Sequence, residues 1–212
     1  MASSETTASS TTEPAAQGKV RLRRFAALMI PATVAGGVMV ALTAQGVLAA
    51  QFAISGIAFT VTADQLKGTG FEQWGWIDNT IQDSPNLQDT GGQATVFVSA
   101  IHSGTLTNMC QSINLGAINL VLRAGRNGTP VQATDLVVDS DTLSGDATFD
   151  TLAVGQDAST LDTVPGIIGP PGDFGQQAKG VIINHLRQDN YATTAASFTL
   201  PGLSMSFSSD GC

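Results

Sequence analysis

The stretch Val131–Val154, VQATDLVVDSDTLSGDATFDTLAV, carries the same apolar spacing twice, sixteen residues apart. Each copy alternates apolar and polar residues, slips by one residue at a polar pair, and then resumes the alternation. Alternation with a period of two is typical of a half-buried strand, and one extra residue returns the apolar side chains to the same face. Each copy therefore predicts a strand that bends through a bulge or corner, at Thr134-Asp135 and at Asp150-Thr151.

Similar slips occur at Ser55-Gly56, Gly116-Ala117 and Pro201-Gly202, each between two short alternating runs. After Gln51 no amphipathic helix is indicated, and Gly, Asn, Asp or Pro interrupts the chain about every ten residues. We predict an all-β fold, built either as a β-solenoid of bent strands or as a jelly-roll-like sandwich, and preceded by one N-terminal hydrophobic helix.

The N-terminal part of the chain has a different character. Residues 1–18 are rich in Ser, Thr and Ala and lack apolar periodicity, which predicts a disordered cytoplasmic tail. Residues 19–50 begin with a basic cluster and continue with Phe25–Leu42, which contains no charged residue. This segment is predicted to be either a cleaved signal peptide or an uncleaved signal-anchor transmembrane helix. Under both interpretations residues 51–212 form an exported all-β domain.

The charge balance excludes one class of partner. Beyond Gln51 the chain holds five basic and fifteen acidic side chains, a formal net charge of −10. Phosphate binding needs a basic surface, so nucleic acid is not an expected partner.

The two cysteines, Cys110 and Cys212, are an even pair in a chain predicted to be exported, so they predict one disulfide bond. The two histidines are His102 and His185. A Ser/His/Asp hydrolase would need one of them beside an exposed serine, and Ser103 directly follows His102. No Gly-x-Ser-x-Gly motif occurs in the chain, so His102, Ser103 and His185 are weak catalytic candidates.

Asp139, Asp141, Asp146 and Asp150 lie close together in sequence with no positive charge between them. Ca²⁺ is bound by clustered oxygen ligands, which makes these four a weak candidate calcium site. Their spacing does not match an EF-hand loop, because Leu143 occupies a ligand position. No other metal or cofactor is expected.

Two apolar pairs are candidates for contact with a ligand or partner. Trp74 and Trp76 point to one face if Gly75 lies in a strand, where they would bind a carbohydrate or lipid headgroup, or belong to the core. Ile167 and Ile168 lie in a loop rich in Pro and Gly, where they would contact a partner or membrane, or fold back over the core.

The chain from Arg21 to Cys212 resembles an uncharacterised family of exported actinobacterial proteins, a domain of unknown function often automatically labelled "cholesterol esterase". The resemblance is carried by the basic and then apolar N-terminus, by the terminal Cys, and by the blocks FAISGIAFTVTADQLKGTGF, LTNMCQSI, PVQATDLVVDSDTLSGDATFDTLAVGQDAS and FGQQAKGVIINHLRQDNYATTAASFTLPGLSM. It implies a membrane-associated envelope protein, commonly encoded beside a small multi-pass membrane protein that is a candidate partner. It implies no catalytic residue.

Three functions are therefore weighed. The first is a non-catalytic protein at the outer face of the cytoplasmic membrane, which binds a lipid or docks a membrane partner through an apolar trough lined by the bent strands. The second is a secreted esterase acting on sterol or other lipid esters, and the third is a structural role in a surface layer. Open strand edges would need capping or pairing, so self-association is an expectation as well.

Overall fold

The computed structural model describes residues 53–84 and 92–212. The predicted tail at 1–18 and hydrophobic helix at 19–50 lie outside these residues. Thr43–Cys212 forms a compact unit. Its described residues confirm the all-β prediction, and none of them forms a helix that could cross a membrane. The strands are β1 Phe59–Asn79, β2 Gln93–Thr107, β3 Met109–Asn114, β4 Asn119–Ala124, β5 Val131–Asp150, β6 Ala153–Asp157, β7 Phe174–Thr194, β8 Ser197–Thr199 and β9 Ser204–Ser208, with one 3₁₀ turn at Ala158–Thr160.

The long strands form a closed circuit. β1 pairs with β2, β2 with β5, β5 with β7, and β7 returns to β1, always antiparallel. From the start of β1 the sheet extends through β3 and β4 to β9, while β6 pairs with β7 and β8 with β5.

This single antiparallel sheet differs from both predicted architectures. A solenoid stacks repeats that contact only their neighbours, and a jelly roll packs two sheets face to face. Here Phe59 pairs with Asn190, far away in sequence, within one nine-stranded sheet. The bent-strand pattern was a local signal, and it carried no information about which strands pair.

The predicted slips mark real changes of direction. Asp135 within β5 and Thr151 after β5 have φ angles of 47° and 55°, so the strand bends at both predicted places. Pro201-Gly202 forms the turn between β8 and β9. At Gly116-Ala117 the prediction of one bent strand was wrong, because the residues on either side pair with each other as the hairpin of β3 and β4.

Two apolar clusters lie on opposite faces of the sheet. The first occupies the inner face of the circuit, and the second lies under the segment around the 3₁₀ turn. The buried members of the first are Val61, Ala63, Leu66, Phe71, Ile101, Leu106, Met109, Ala124, Val131, Ala133, Leu136, Val138, Ala178, Val181, Ile183 and Leu186. Those of the second are Ile54, Trp74, Ala94, Val96, Val98, Ala100, Ala158, Leu161, Val164 and Ala192.

The two copies of the repeated apolar spacing differ in how deeply their side chains are buried. The apolar residues of the first copy are all buried in the first cluster. In the second copy Phe149 is half-buried, Leu152 is exposed in the bend before β6, and Val154 is exposed on β6 at an edge of the sheet.

The predicted disulfide between Cys110 and Cys212 is confirmed, with 5.9 Å between the two Cα atoms. The backbone N–H of Cys212 donates to Ser112 Oγ at 3.0 Å, and Arg187 Nη1 donates to the main-chain oxygen of Cys212 at 2.8 Å. These contacts hold residues 209–212 against one face of β3 and β4, where Val121 is fully buried.

Replacing both cysteines, Cys110→Ser with Cys212→Ser, is expected to lower the free energy of unfolding by about 4–5 kcal/mol, because the bond closes a long loop in the unfolded chain. Urea denaturation of the oxidised protein and of the variant measures this difference. Reduced wild-type protein is the matched control and should unfold at the midpoint of the variant. Equal midpoints for the oxidised protein and the variant would contradict a stabilising bond.

Candidate functional site

The sheet of β1, β3, β4 and β9 has one apolar face. Residues directly opposite each other in antiparallel strands point to the same side of the sheet. The registers place Phe59, Ile113, Leu120 and Phe207 in one row across the four strands. Apolar side chains therefore lie side by side from β1 to the edge strand β9.

A second row runs beside the first, through Val61, Gln111, Leu122 and Met205. Val61 belongs to the first cluster, and Phe59 and Leu122 pack against that cluster. The hydrophobic core therefore continues from the closed circuit onto this face through Phe59 and Leu122, although Gln111 is polar.

The outer part of the face is open to solvent. Met205 is 58% exposed and Phe207 66% exposed. Residues in the β3–β4 hairpin and before β9 add further exposed apolar surface. We define the apolar face as Ile113, Leu115, Ile118, Leu120, Leu122, Leu203, Met205 and Phe207. Monomeric soluble proteins seldom expose a contiguous patch of this kind unless it binds something.

The opposite face of the same strands is polar and partly covered. Ser204, Ser206 and Ser208 alternate with the apolar residues of β9, and residues 209–212 cross the neighbouring strands. A polar cleft of about 440 Å³ lies beside this tail and is lined partly by Arg187. The disulfide thus covers one side of the sheet and leaves the apolar face open.

The structure places three of the four apolar candidates of the sequence at the second cluster, away from the apolar face. Trp74 is 7% exposed and forms part of the cluster, while Trp76 and Ile167 are half-buried against it. Ile168 is 69% exposed. Ile168 is therefore the most accessible of the four, and Trp76 and Ile167 are partly accessible.

A buried carboxyl group fastens the loop that carries Ile167. Glu72 is fully buried, and its Oε1 accepts a hydrogen bond from the Val164 backbone N–H at 2.7 Å. Thr163 Oγ1 donates to the Phe71 carbonyl oxygen at 2.9 Å in the same place. Burial raises the pKa of Glu72, although the hydrogen bonds from Val164 and Thr163 lower it.

The two histidines lie at corners of the sheet. His102 Nδ1 lies 2.8 Å from Asp135 Oδ1, and His185 Nδ1 lies 2.9 Å from Asp146 Oδ2, with both pairs exposed. Asp135 and His185 themselves have positive φ angles, of 47° and 54°. Each pair therefore joins two adjacent strands where at least one of them bends.

These pairs supply two of the three groups of a hydrolase triad. Ser103 follows His102 on β2, yet among residues 53–84 and 92–212 no hydroxyl group hydrogen bonds to either imidazole. A catalytic role would require a nucleophile that the described structure does not place beside these histidines.

The candidate calcium ligands do not converge. Asp146 binds His185, and Asp150 accepts a hydrogen bond from Thr151. Asp139 and Asp141 make separate contacts, the latter with Tyr191. Within the described part of the chain, no group of three or more acidic, His or Cys side chains is placed to hold a metal ion.

The carboxyl group of Asp139 is hydrogen bonded to that of Asp78, sixty-one positions earlier in the chain. The sequence pattern did not predict this pair. Burial, reinforced by the neighbouring Asp78, raises the pKa of Asp139 to about 7. Burial also raises the pKa of Asp78, although the hydrogen bond from Asp139 lowers it. The direction of these shifts makes Asp139 the proton donor of the pair.

The Asp139 proton makes stability depend on pH. The folded chain keeps this proton up to about pH 7, whereas the unfolded chain releases it near the ordinary pKa of 3.8. The stabilisation is therefore complete in acid and is lost as the pH rises towards 7. Asp139→Asn should flatten this dependence and raise the melting temperature above that of the wild type at about pH 8.

Thermal melting between about pH 5 and pH 8 measures the effect. Asp173→Asn, at an exposed aspartate outside the pair, is the matched control and should keep the wild-type slope. A wild-type slope in Asp139→Asn would show that the pair does not share a proton.

Residues 55–212 match a family of unknown function, DUF6230. The chain belongs to this family. The DUF6230 match covers the complete sheet, both cysteines and every residue of the apolar face. It confirms the expectation of a family without an assigned function; the esterase label and the actinobacterial origin stay expectations. Searches of curated proteins and of solved structures found no match.

Proposed function

We propose that residues 51–212 form an exported, non-catalytic domain that binds lipid acyl chains on its apolar face, at the outer face of the cytoplasmic membrane. The observation that carries the proposal is the continuity of this face with the core. Phe59 and Leu122 pack against the first cluster, while Phe207 in the same sheet is 66% exposed. A ligand that covers the outer residues would extend the core of the domain.

The composition of the face favours acyl chains over a protein partner. The eight side chains are Leu, Ile, Met and Phe, and the face contains no Trp, Tyr or Arg. Protein interfaces are anchored mainly by Trp, Tyr and Arg, whereas Leu is under-represented among their energetic centres. A small multi-pass membrane protein is therefore the second choice of partner.

Two features support a location at the membrane. The disulfide fits an oxidising compartment outside the cytoplasm. If residues 19–50 remain attached as an anchor, the nine residue-to-residue steps from Ala50 to Phe59 reach about 30 Å when fully extended. The start of β1, which borders the apolar face, would then lie close to the bilayer.

A lipid esterase agrees less well with the geometry. Both histidines already bind aspartates at corners of the sheet, and these contacts are explained by the bend itself. An open sheet face can hold an acyl chain without a nucleophile beside it. We therefore prefer binding to hydrolysis.

Flotation with phosphatidylcholine vesicles tests the proposal. The protein would be the Thr43–Cys212 unit, which contains both clusters and the disulfide. Zwitterionic vesicles are chosen because the domain is strongly acidic. Phe207→Ser should reduce the bound fraction about tenfold, since burying a phenylalanine side chain contributes roughly 1.5–3 kcal/mol.

Phe174→Ser is the matched control, because Phe174 is 62% exposed but lies on β7 outside the apolar face. It should float like the wild type. Failure of the wild-type unit to float, or equal loss in both variants, would contradict acyl-chain binding. The protein partner would be favoured instead if the full chain binds a membrane protein, and if Phe207→Ser loses this binding while Phe174→Ser keeps it.

A further inference from the structure

The strand β9 is an open edge of the sheet. It pairs with β4 on one side, and no other described strand pairs with its second side. Its five residues, Ser204–Ser208, contain no charge and no proline. The register with β4 is continuous from end to end.

The other two short strands at the edges of the sheet, β6 and β8, are protected against pairing. β6 carries Asp157 and an irregularity between Val154 and Gln156. β8 has only three residues and is followed at once by Leu200 and Pro201. Charges, bulges, proline and short length are the means by which natural proteins keep a strand edge from pairing with another chain. β9 has the length of a typical strand, and it contains no charge, no bulge and no proline.

We propose that two copies of this chain associate through antiparallel pairing of their β9 strands, around a two-fold axis at Ser206. In this register all five residues pair. Ser206 lies opposite its own copy, and Met205 lies opposite Phe207 of the second copy. Both apolar side chains stay on the same side of the joined sheet, because opposite residues share a face.

The second copy is the occupant that this edge favours. The strand is its own complement in the two-fold register, since its Ser and apolar positions alternate symmetrically about Ser206. Pairing places apolar against apolar and serine against serine, and it leaves no charge at the junction. Each copy is strongly acidic and Asp210 lies two residues beyond β9, so salt should strengthen the pairing by screening the repulsion between the copies.

The pairing goes beyond the lipid-binding proposal. It uses the backbone edge of β9, whereas the lipid would use the perpendicular apolar face. The dimer would join two apolar faces into one surface of twice the size. The two ideas can fail separately, because association is measured without lipid and lipid binding can be measured on a monomeric variant.

Analytical ultracentrifugation of the Thr43–Cys212 unit without lipid is the first experiment. The wild type should sediment as a concentration-dependent dimer that strengthens as salt is raised. Ser206→Lys places two ammonium groups opposite each other at the axis and leaves the apolar face unchanged, so it should weaken the dimer at least tenfold. Ser197→Lys, at an exposed serine on β8, is the matched control and should dimerise like the wild type.

A monomeric wild type, or equal weakening by both lysine variants, would overturn the pairing. A cooperative thermal melt of Ser206→Lys at the wild-type temperature separates lost pairing from lost folding. Vesicle flotation of the same monomeric variant then tests lipid binding independently.

Cross-linking in the full chain tests the register. Ser206→Cys should form an intermolecular disulfide on mild oxidation, with peptide mapping to locate the bond between the two introduced thiols. Ser204→Cys is the control, since the register separates the two copies of position 204 by about 13 Å along the strand, too far for a disulfide. Cross-linking at 204, or none at 206, would overturn the two-fold pairing at Ser206.

Discussion

The rest of the structure depends on bending a continuous antiparallel sheet without losing its hydrogen-bond register. At the first corner Asp135 lies between two paired positions of β5 and faces His102 on β2, with no shift in register. The left-handed backbone conformation of Asp135 changes the face of the sheet to which the following side chains point. Ala133 and Leu136 are therefore both buried in the first cluster. Asp and Asn accept this conformation at lower cost than most residues, and the bond to His102 holds the bend.

The second corner repeats this arrangement with other residues. His185 and Asn108 have positive φ angles. His185 hydrogen bonds to Asp146 of β5, and Asn108 donates a hydrogen bond to Asp64 of β1. Polar and ionisable side chains that resemble parts of a catalytic or metal site are thus gathered where the sheet turns. Each His–Asp pair links two neighbouring strands at such a bend, and within residues 53–84 and 92–212 no hydroxyl group hydrogen bonds to either imidazole.

The sequence predicted local geometry better than pairing. The slips at Thr134-Asp135 and Asp150-Thr151 are visible because one extra residue disturbs a period-two pattern, and the disulfide is determined because only one connectivity exists. The closed circuit is not visible, since alternation describes one strand and β1 pairs with a strand more than one hundred residues away. For the same reason Asp139 was grouped with its sequence neighbours, while its actual partner is Asp78 on β1. The sequence predicted an apolar trough lined by bent strands but not which strands carry it, because the alternation in β4 and β9 shows which side chains share a face but not whether anything covers it.

The apolar face, the β9 edge and the disulfide form one system. β9 is five residues long and, among the described strands, pairs only with β4, so its pairing contributes little stability of its own. Four residues after β9 the chain is fixed to β3 by Cys110–Cys212, and this limits how far β9 can separate from β4. We therefore expect β9 to fray when the bond is reduced, and Met205 and Phe207 would then leave the face together with the edge. The proposed lipid binding would then require the disulfide, which forms and persists in oxidising compartments.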